Sequence, residues 1–164
     1  MKTLVIIPSR LSATRLPGKP LLKINGTSMI SHVFKKAENT NIGDVYIATE
    51  DQEIVDDIKQ NGGKAILTSR NHKTGTDRIY EALNILGVSD IDFIMNLQGD
   101  EPLMSIDDIK NLHNQMIKTN IHHILMKTFE EMMHPGGFLR YVQTPDSPGL
   151  ICGNAGGAVV GVAF

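Results

Sequence analysis

Short apolar runs along the chain alternate with longer segments in which apolar residues recur every three or four positions. Continuous apolar runs predict strands at 4–7, 45–48, 65–67 and 93–95. Helical spacing predicts a helix at 28–37 and further helices beginning near positions 49, 76 and 105. This alternation predicts an α/β protein, in which a parallel sheet is covered by helices on both faces in three layers.

Local signals indicate where these helices begin and end. Thr49 with Gln52 has the spacing of a capping box, which predicts that the second helix begins at Thr49. Ser105 stands in the same relation to Asp108 before the last helix. The run 61–63, Asn-Gly-Gly, is expected to end the second helix. From position 144 onward no period predicts a helix or a strand.

Three chemically rich loops, at 8–20, 68–78 and 98–102, each follow a predicted strand. The carboxyl ends of parallel strands meet at one edge of a sheet, where such folds bind ligands, so we expect the loops to form one site. The first loop combines Arg10, Arg15 and Lys19 with hydroxyl groups near Ser12. It contains neither the G-x-x-x-x-G-K-[ST] nor the G-x-G-x-x-G pattern, so a phosphate here would be held mainly by side chains.

Charge is distributed unevenly along a nearly neutral chain. The net charge is −2, which argues against nucleic acid as a partner by bulk electrostatics. No Asp or Glu precedes Glu38, whereas the same stretch holds many cations: Lys2, Arg10, Arg15, Lys19, Lys23, Lys35 and Lys36. An anion site and a merely solvated basic face both fit this asymmetry, and the three cations in one loop favour the anion site.

The other two loops allow two interpretations each. Asp100 follows a buried strand and a glycine, a suitable position for Mg²⁺ beside phosphates, although an Asp there could also make a turn. The stretch 72–78 could contact a nucleobase, or it could simply begin a helix at Thr74 or Thr76 with Asp77. His122 and His123 are expected to be solvent-exposed rather than zinc ligands.

A single cysteine, Cys152, excludes an intramolecular disulfide framework and fits a reducing cytoplasm. No apolar stretch reaches the length of a membrane span, and no signal peptide is expected at the start. These observations favour a cytoplasmic protein.

Taken together, the ordered segments 5–21, 48–49, 72–78 and 96–102 resemble those of the 3-deoxy-manno-octulosonate cytidylyltransferase (CMP-Kdo synthetase) family. The resemblance covers roughly 1–118, with Ala13-Thr14 where the family commonly has Ser-Thr. It implies a nucleotide-diphospho-sugar transferase-like (Rossmann-like) fold. It also implies transfer of CMP from CTP to the sugar acid Kdo, with release of pyrophosphate, in lipopolysaccharide biosynthesis.

The resemblance implies roles for particular residues. It assigns the CTP phosphates to Arg10, Arg15 and Lys19, and Mg²⁺ to Asp100, and these four residues are the expected catalytic set. Cytosine and ribose are assigned to residues around 75–78 with Ala48 and Gln98. The full set expected to bind CTP is Arg10, Ser12, Arg15, Lys19, Ala48, His72, Gly75, Thr76, Arg78 and Gln98.

Beyond position 118 the resemblance does not continue. We therefore expect 1–118 to be the CTP-binding part, 119–164 to be a divergent tail, and the sheet to be truncated. The family is homodimeric and supplies its sugar-acid pocket from the later part of the chain. Two alternatives to a complete CMP-Kdo synthetase stay open: an inactive nucleotide-binding fragment, and a related nucleotidyltransferase that acts on another sugar acid.

Overall fold

A sheet of mainly parallel strands forms the centre of the protein. The computed structural model describes residues 1–12, 16–88 and 90–118, and the backbone of residues 159–163. The strands are β1 (Thr3–Ser9), β2 (Lys23–Ile24), β3 (Thr27–Ser28), β4 (Asp44–Thr49), β5 (Ala65–Leu67), β6 (Phe93–Leu97) and β7 (Val159–Ala163). The helices are α1 (Met29–Glu38), α2 (Gln52–Gln60), α3 (Gly75–Leu86) and α4 (Ile106–Lys118), with a short 3-10 helix at Lys19–Leu21.

The main sheet has the strand order β5-β4-β1-β6-β7, and β2 pairs with β3 in a separate hairpin. β1 pairs in parallel with both β4 and β6, and β4 pairs in parallel with β5. The chain moves outward from β1 to β4 and β5, and then returns to place β6 on the other side of β1. This reversal puts a topological switch point between β1 and β6, where doubly wound sheets bind ligands beyond the strand ends.

Alternate residues of β1 supply two separate cores. Val5 and Ile7 face one side of the sheet and pack with apolar residues of α1, α2 and α4. Leu4 and Ile6 face the other side, which α3 covers. The period of two in strands therefore buries both faces of β1, and the predicted three-layer α/β/α fold is confirmed.

Most predicted elements are confirmed, with strands one to two residues longer at some ends. Ser28 precedes α1, and its hydroxyl accepts a hydrogen bond from the N–H of Ser31. Ser105 precedes α4, and its hydroxyl accepts from the N–H of Asp107. Asn61 is the C-terminal cap of α2, so the predicted stop is correct.

Two predictions are wrong. Thr49 does not begin a helix: it ends β4, and α2 begins at Gln52 after Asp51. Pairing of Thr49 with Ser9 and Leu67 keeps it in the sheet, and its hydroxyl accepts from the Asp51 N–H. A strand was also not expected near the end of the chain, yet β7 pairs antiparallel with β6. The expectation of a divergent tail otherwise falls outside the described residues.

No helix within the described residues is long and apolar enough to cross a bilayer.

Candidate functional site

A cavity of about 340 Å³ opens at the switch point, beyond the carboxyl ends of β1, β5 and β6. The loop after β1 contributes Arg10, the loop after β5 contributes His72, and the loop after β6 contributes Asp100. The full lining is Pro8, Ser9, Arg10, Lys19, Pro20, Met29, His72, Lys73, Thr74, Gly75, Arg78, Gln98, Gly99 and Asp100. The three loops therefore meet, as expected from parallel strands.

Six of the ten residues expected to bind CTP line this cavity: Arg10, Lys19, His72, Gly75, Arg78 and Gln98. Asp100, which is expected to hold Mg²⁺, lines it as well. Ser12 and Thr76 are not among the lining residues. Ala48 is also absent from the lining, because it is wholly buried in β4 and packs on the side of the sheet that α3 covers. Arg15 lies outside the described residues.

Glycine at position 99 allows the loop after β6 to approach the sheet closely. A Cβ at this position would lie 2.9 Å from the end of the Ile30 side chain and 3.2 Å from the carbonyl oxygen of Pro8. A larger residue would thus press against both α1 and β1. This approach keeps Gln98 and Asp100 beside the loop after β1.

The loop after β1 is fixed at its base by backbone hydrogen bonds. The Leu11 N–H donates to the Asp51 carboxylate at 2.6 Å, and the Leu11 carbonyl accepts from the Gly18 N–H at 3.0 Å. Gly18 has a φ of 73°, a left-handed conformation that glycine adopts without strain, and it leads directly into the short helix at Lys19–Leu21. These bonds place Lys19 and Arg10 at the cavity from opposite ends of the loop.

Lys19 and Asp100 form an ion pair across the cavity, with Nζ 3.0 Å from Oδ2. Both side chains are partly exposed, at 35% and 55%, so water screens the pair and it adds little stability. The pair shows that a cation of the loop after β1 and the carboxylate of the loop after β6 lie next to each other in the cavity. Either group is accessible to a ligand that competes for it.

Arg78 differs from the other cations of the cavity because its guanidinium is buried and forms hydrogen bonds with other residues of the protein. The side chain is 4% exposed, and Nη2 donates to the Glu50 carboxylate in a close ion pair. Nη1 donates to the hydroxyl of Thr68 at 2.6 Å and to the carbonyl of Ser69 at 3.3 Å. Arg78 therefore joins the loop after β4 to the loop after β5.

The loop after β5 is also held by α3. The Glu81 carboxylate accepts from the Ser69 N–H at 2.8 Å and contacts Nε2 of His72. The hydrogen bond from His72, and next to it that from Ser69, holds the pKa of Glu81 below its ordinary value, against the opposing effect of burial. At the start of α3, Thr74 and Asp77 form a complete capping box.

Sequence reasoning did not identify Asp51, Glu50 or Glu81 as parts of the site. Asp51 and Glu50 touch residues that are distant in sequence: Asp51 is 40 residues from Leu11, and Glu50 is 28 residues from Arg78. The sheet order brings these two pairs together. Glu81 contacts the loop that precedes its own helix, nine residues from His72, and no motif recognised in the sequence marks that contact. Lys73, which adds a further cation to the lining, is adjacent to His72 in the same polar loop.

Among the described residues that line the cavity, Asp100 alone carries a carboxylate, and it is paired with Lys19. No cluster of three or more His, Cys, Asp or Glu side chains suited to a metal is found within the described ranges. Mg²⁺ commonly uses only one or two protein carboxylates and completes its coordination with water and phosphate oxygens. A lone carboxylate facing Arg10, Lys19 and Lys73 is therefore compatible with Mg²⁺ that arrives with a polyphosphate.

A family model described as cytidylyltransferase matches residues 4–140. The chain belongs to the cytidylyltransferase family. Among curated relatives of this cytidylyltransferase chain, the 3-deoxy-manno-octulosonate cytidylyltransferase of Rhodopseudomonas palustris is 47% identical over 110 residues, covering 66% of this chain and 45% of that protein. The 8-amino-3,8-dideoxy-manno-octulosonate cytidylyltransferase of Shewanella pealeana is 46% identical over 105 residues, covering 63% and 43%.

Solved structures agree with the fold of this cytidylyltransferase chain. A structure of CMP:2-keto-3-deoxy-manno-octonic acid synthetase complexed with CTP matches with a TM-score of 0.67 and 39% identity, covering 72% of this chain and 48% of that one. A nucleotidyl transferase from Methanothermobacter thermautotroptrophicus, with a TM-score of 0.58 and 15% identity over 69% and 57%, shows the fold alone. The chain spans about half the length of the curated relatives it matches.

Proposed function

We propose that this chain binds CTP in the switch-point cavity and acts in the transfer of CMP to 3-deoxy-manno-octulosonate, with release of pyrophosphate, in lipopolysaccharide biosynthesis. The observation that carries the proposal is the meeting of Arg10, Lys19 and Asp100 at one cavity. The identity of 47% to a 3-deoxy-manno-octulosonate cytidylyltransferase supports the proposed reaction and sugar. A cytoplasmic location, expected from the single cysteine, belongs to the same proposal.

In this reaction the anomeric hydroxyl oxygen of the sugar acid forms a bond to the α-phosphorus of CTP. The bond from the α-phosphorus to its bridging oxygen breaks, and pyrophosphate leaves with that oxygen. Because the transition state gathers negative charge on phosphate oxygens, fixed cations lower its free energy. Arg10 can bind two phosphate oxygens at once, while Lys19 supplies a compact charge.

Binding of CTP would exchange the partner of Lys19. In the free chain its ammonium lies against Asp100, and a triphosphate offers it stronger anionic partners. The Asp100 carboxylate is then released to hold Mg²⁺, which when bound would neutralise phosphate charge. No protein nucleophile is needed, because the sugar hydroxyl attacks directly and the residues only bind, orient and neutralise.

Other assignments follow from the resemblance and stay predictions. Gly75 and Gln98 line the cavity and are proposed to contact the nucleoside, together with His72. Ser12, Arg15, Ala48 and Thr76 are retained as proposed CTP-binding residues, as is Arg78 despite its internal ion pair. The resemblance implies a homodimer for complete members of the family and does not extend it to this chain, whose mass in solution can be measured by light scattering during gel filtration.

The test begins with CTP binding by the 164-residue chain. If CTP binds only the folded state, a concentration of a hundred times Kd raises the free energy of unfolding by about 2.7 kcal/mol. Lys19→Met should weaken binding by about tenfold or more, because it removes a charge-assisted hydrogen bond. Lys59→Met, at an exposed position near the end of α2, is the matched control and should leave binding unchanged. Absence of binding to a folded chain would refute the proposal.

Turnover is measured separately, as pyrophosphate released from CTP, Mg²⁺ and sugar. One arm uses 3-deoxy-manno-octulosonate and the other its 8-amino-3,8-dideoxy analogue, because a relative named for that sugar is 46% identical. Faster release of pyrophosphate with the amino sugar would mean that the amino sugar, and not 3-deoxy-manno-octulosonate, is the acceptor. CTP binding without release of pyrophosphate from either sugar would identify the chain as a nucleotide-binding part without activity of its own.

A further inference from the structure

Glu81 lies outside the cavity lining, yet one of its oxygens holds two points of the loop after β5. Its Oε2 accepts from the backbone N–H of Ser69 at 2.8 Å and also contacts Nε2 of His72. His72 lines the cavity with a side chain that is only 17% exposed. One carboxylate on α3 therefore sets both the path of the loop and the orientation of a ring in the site.

We infer that Glu81 is a positioning residue for the nucleotide site, which acts by fixing the orientation of the His72 ring and the proton on its Nε2. This inference rests on the proposed function for the identity of the ligand. Its structural half, the control of His72 by Glu81, stands on contacts within the free chain.

The chemistry of the contact determines which ring nitrogen carries the proton. An ionised carboxylate only accepts hydrogen bonds, so the Nε2 that meets Glu81 must be protonated. In a neutral imidazole the other nitrogen, Nδ1, is then an acceptor. Glu81 therefore fixes the proton on Nε2 and leaves Nδ1 as the ring nitrogen that is directed away from the carboxylate.

Two side chains of α3, those of Arg78 and Glu81, hold the backbone of Ser69. Their remaining contacts differ, so the effects of removing each one can be told apart. Arg78 binds the Ser69 carbonyl at 3.3 Å, while Glu81 binds the Ser69 N–H. Only Glu81 also reaches His72. Loss of Arg78 should therefore loosen the loop generally, whereas loss of Glu81 should also release the ring.

The first experiment measures the ring nitrogens of His72 by NMR in the ligand-free chain at neutral pH. The expected result is a proton held on Nε2 in the wild type and in Glu81→Gln, since the amide oxygen of Gln can still accept. Glu81→Ala should change the Nε2 signal, because the acceptor of that proton is lost. Glu53→Ala, at an exposed position in the first turn of α2, should leave the His72 signals unchanged. A wild-type ring without a proton on Nε2, or signals unaltered in Glu81→Ala, would overturn the inference.

The second experiment measures CTP affinity in a double-mutant cycle. Glu81→Ala should weaken binding by about tenfold in the wild-type background, and the same change should have clearly less effect in His72→Ala. Glu81→Gln should bind nearly as well as the wild type. An equal loss in both backgrounds would show that Glu81 does not act through His72. If the folded wild type binds no CTP, the proposed function fails, and the NMR result alone decides whether Glu81 controls the ring.

Discussion

At the scale of single residues, the partner of a side chain decides what its charge is used for. Arg10 and Arg78 both line the cavity, and both are expected to bind CTP, Arg10 at the phosphates and Arg78 near the nucleoside. Arg78, however, is buried and donates to Glu50, Thr68 and Ser69. Its first effect is therefore on the structure that surrounds the site.

Removal of the Arg78 charge should destabilise the protein strongly. Arg78→Met leaves the Glu50 carboxylate buried without its partner, which typically costs about 3–5 kcal/mol in a buried pair. Urea denaturation measures the change in the free energy of unfolding. The exposed Arg70→Met serves as control and should change stability by less than about 0.5 kcal/mol. A loss in Arg78→Met as small as in the control would contradict the structural role.

His113 should make stability depend on pH. Burial lowers the pKa of His113 below its ordinary value of 6.5, and its Nε2 lies 2.8 Å from the Thr3 hydroxyl. Above pH 6.5 the ring is neutral in both states, and the stability is fully present. As the pH falls from 6.5 toward the lower pKa of the folded state, the unfolded chain binds a proton that the folded chain does not. The free energy of unfolding therefore decreases over this range of pH. Urea denaturation at several pH values should show a shallower pH dependence in His113→Gln than in the wild type. Equal slopes in the two proteins would refute this.

At the scale of elements, the residues before α2 and α3 use their side chains differently. Thr74 and Asp77 form the capping box that the sequence allows, with hydrogen bonds in both directions between the two residues. At the start of α2, the cap residue Asp51 makes no side-chain cap, and its carboxylate instead accepts from Leu11 of the first loop. A tertiary hydrogen bond displaced the local one, and a sequence pattern could not reveal that competition.

Loss of the α3 cap should cost moderate stability. Thr74→Ala removes the acceptor for the Asp77 N–H, and such caps contribute about 1 kcal/mol. Thermal and urea denaturation measure the effect. Thr76→Ala, inside the first turn rather than at the cap, is the matched control and should cost less. Equal losses in the two variants would argue against a working cap.

At the scale of the whole molecule, β1 is the central strand of the main sheet. It pairs with β4 on one side and β6 on the other, and both of its faces are buried. The β2–β3 hairpin, in contrast, pairs only within itself, and the β2 residues are exposed. Stability should therefore be unequal across the fold.

Hydrogen exchange measured residue by residue should show this difference. Amides at positions 5–7 of β1 should exchange among the slowest in the chain, since exposing them requires opening both β1 interfaces. The exposed part of the hairpin, at positions 23–26, should exchange much faster. Equal protection in the two regions would mean that β1 is not the centre of a cooperative unit.

The sequence by itself determined the layers of the fold and the loops that carry the chemistry. Period-two and period-3.6 apolar patterns report burial directly, and parallel strands necessarily bring their following loops to one edge. Only the tertiary structure decided which polar side chains form hydrogen bonds and ion pairs with each other. The pairs Asp51–Leu11, Arg78–Glu50 and His72–Glu81 join segments from different loops and helices, and Lys19 meets Asp100 only because β6 returns beside β1. A hydrogen bond depends on the final positions of both partners, so no pattern local to either one could predict it.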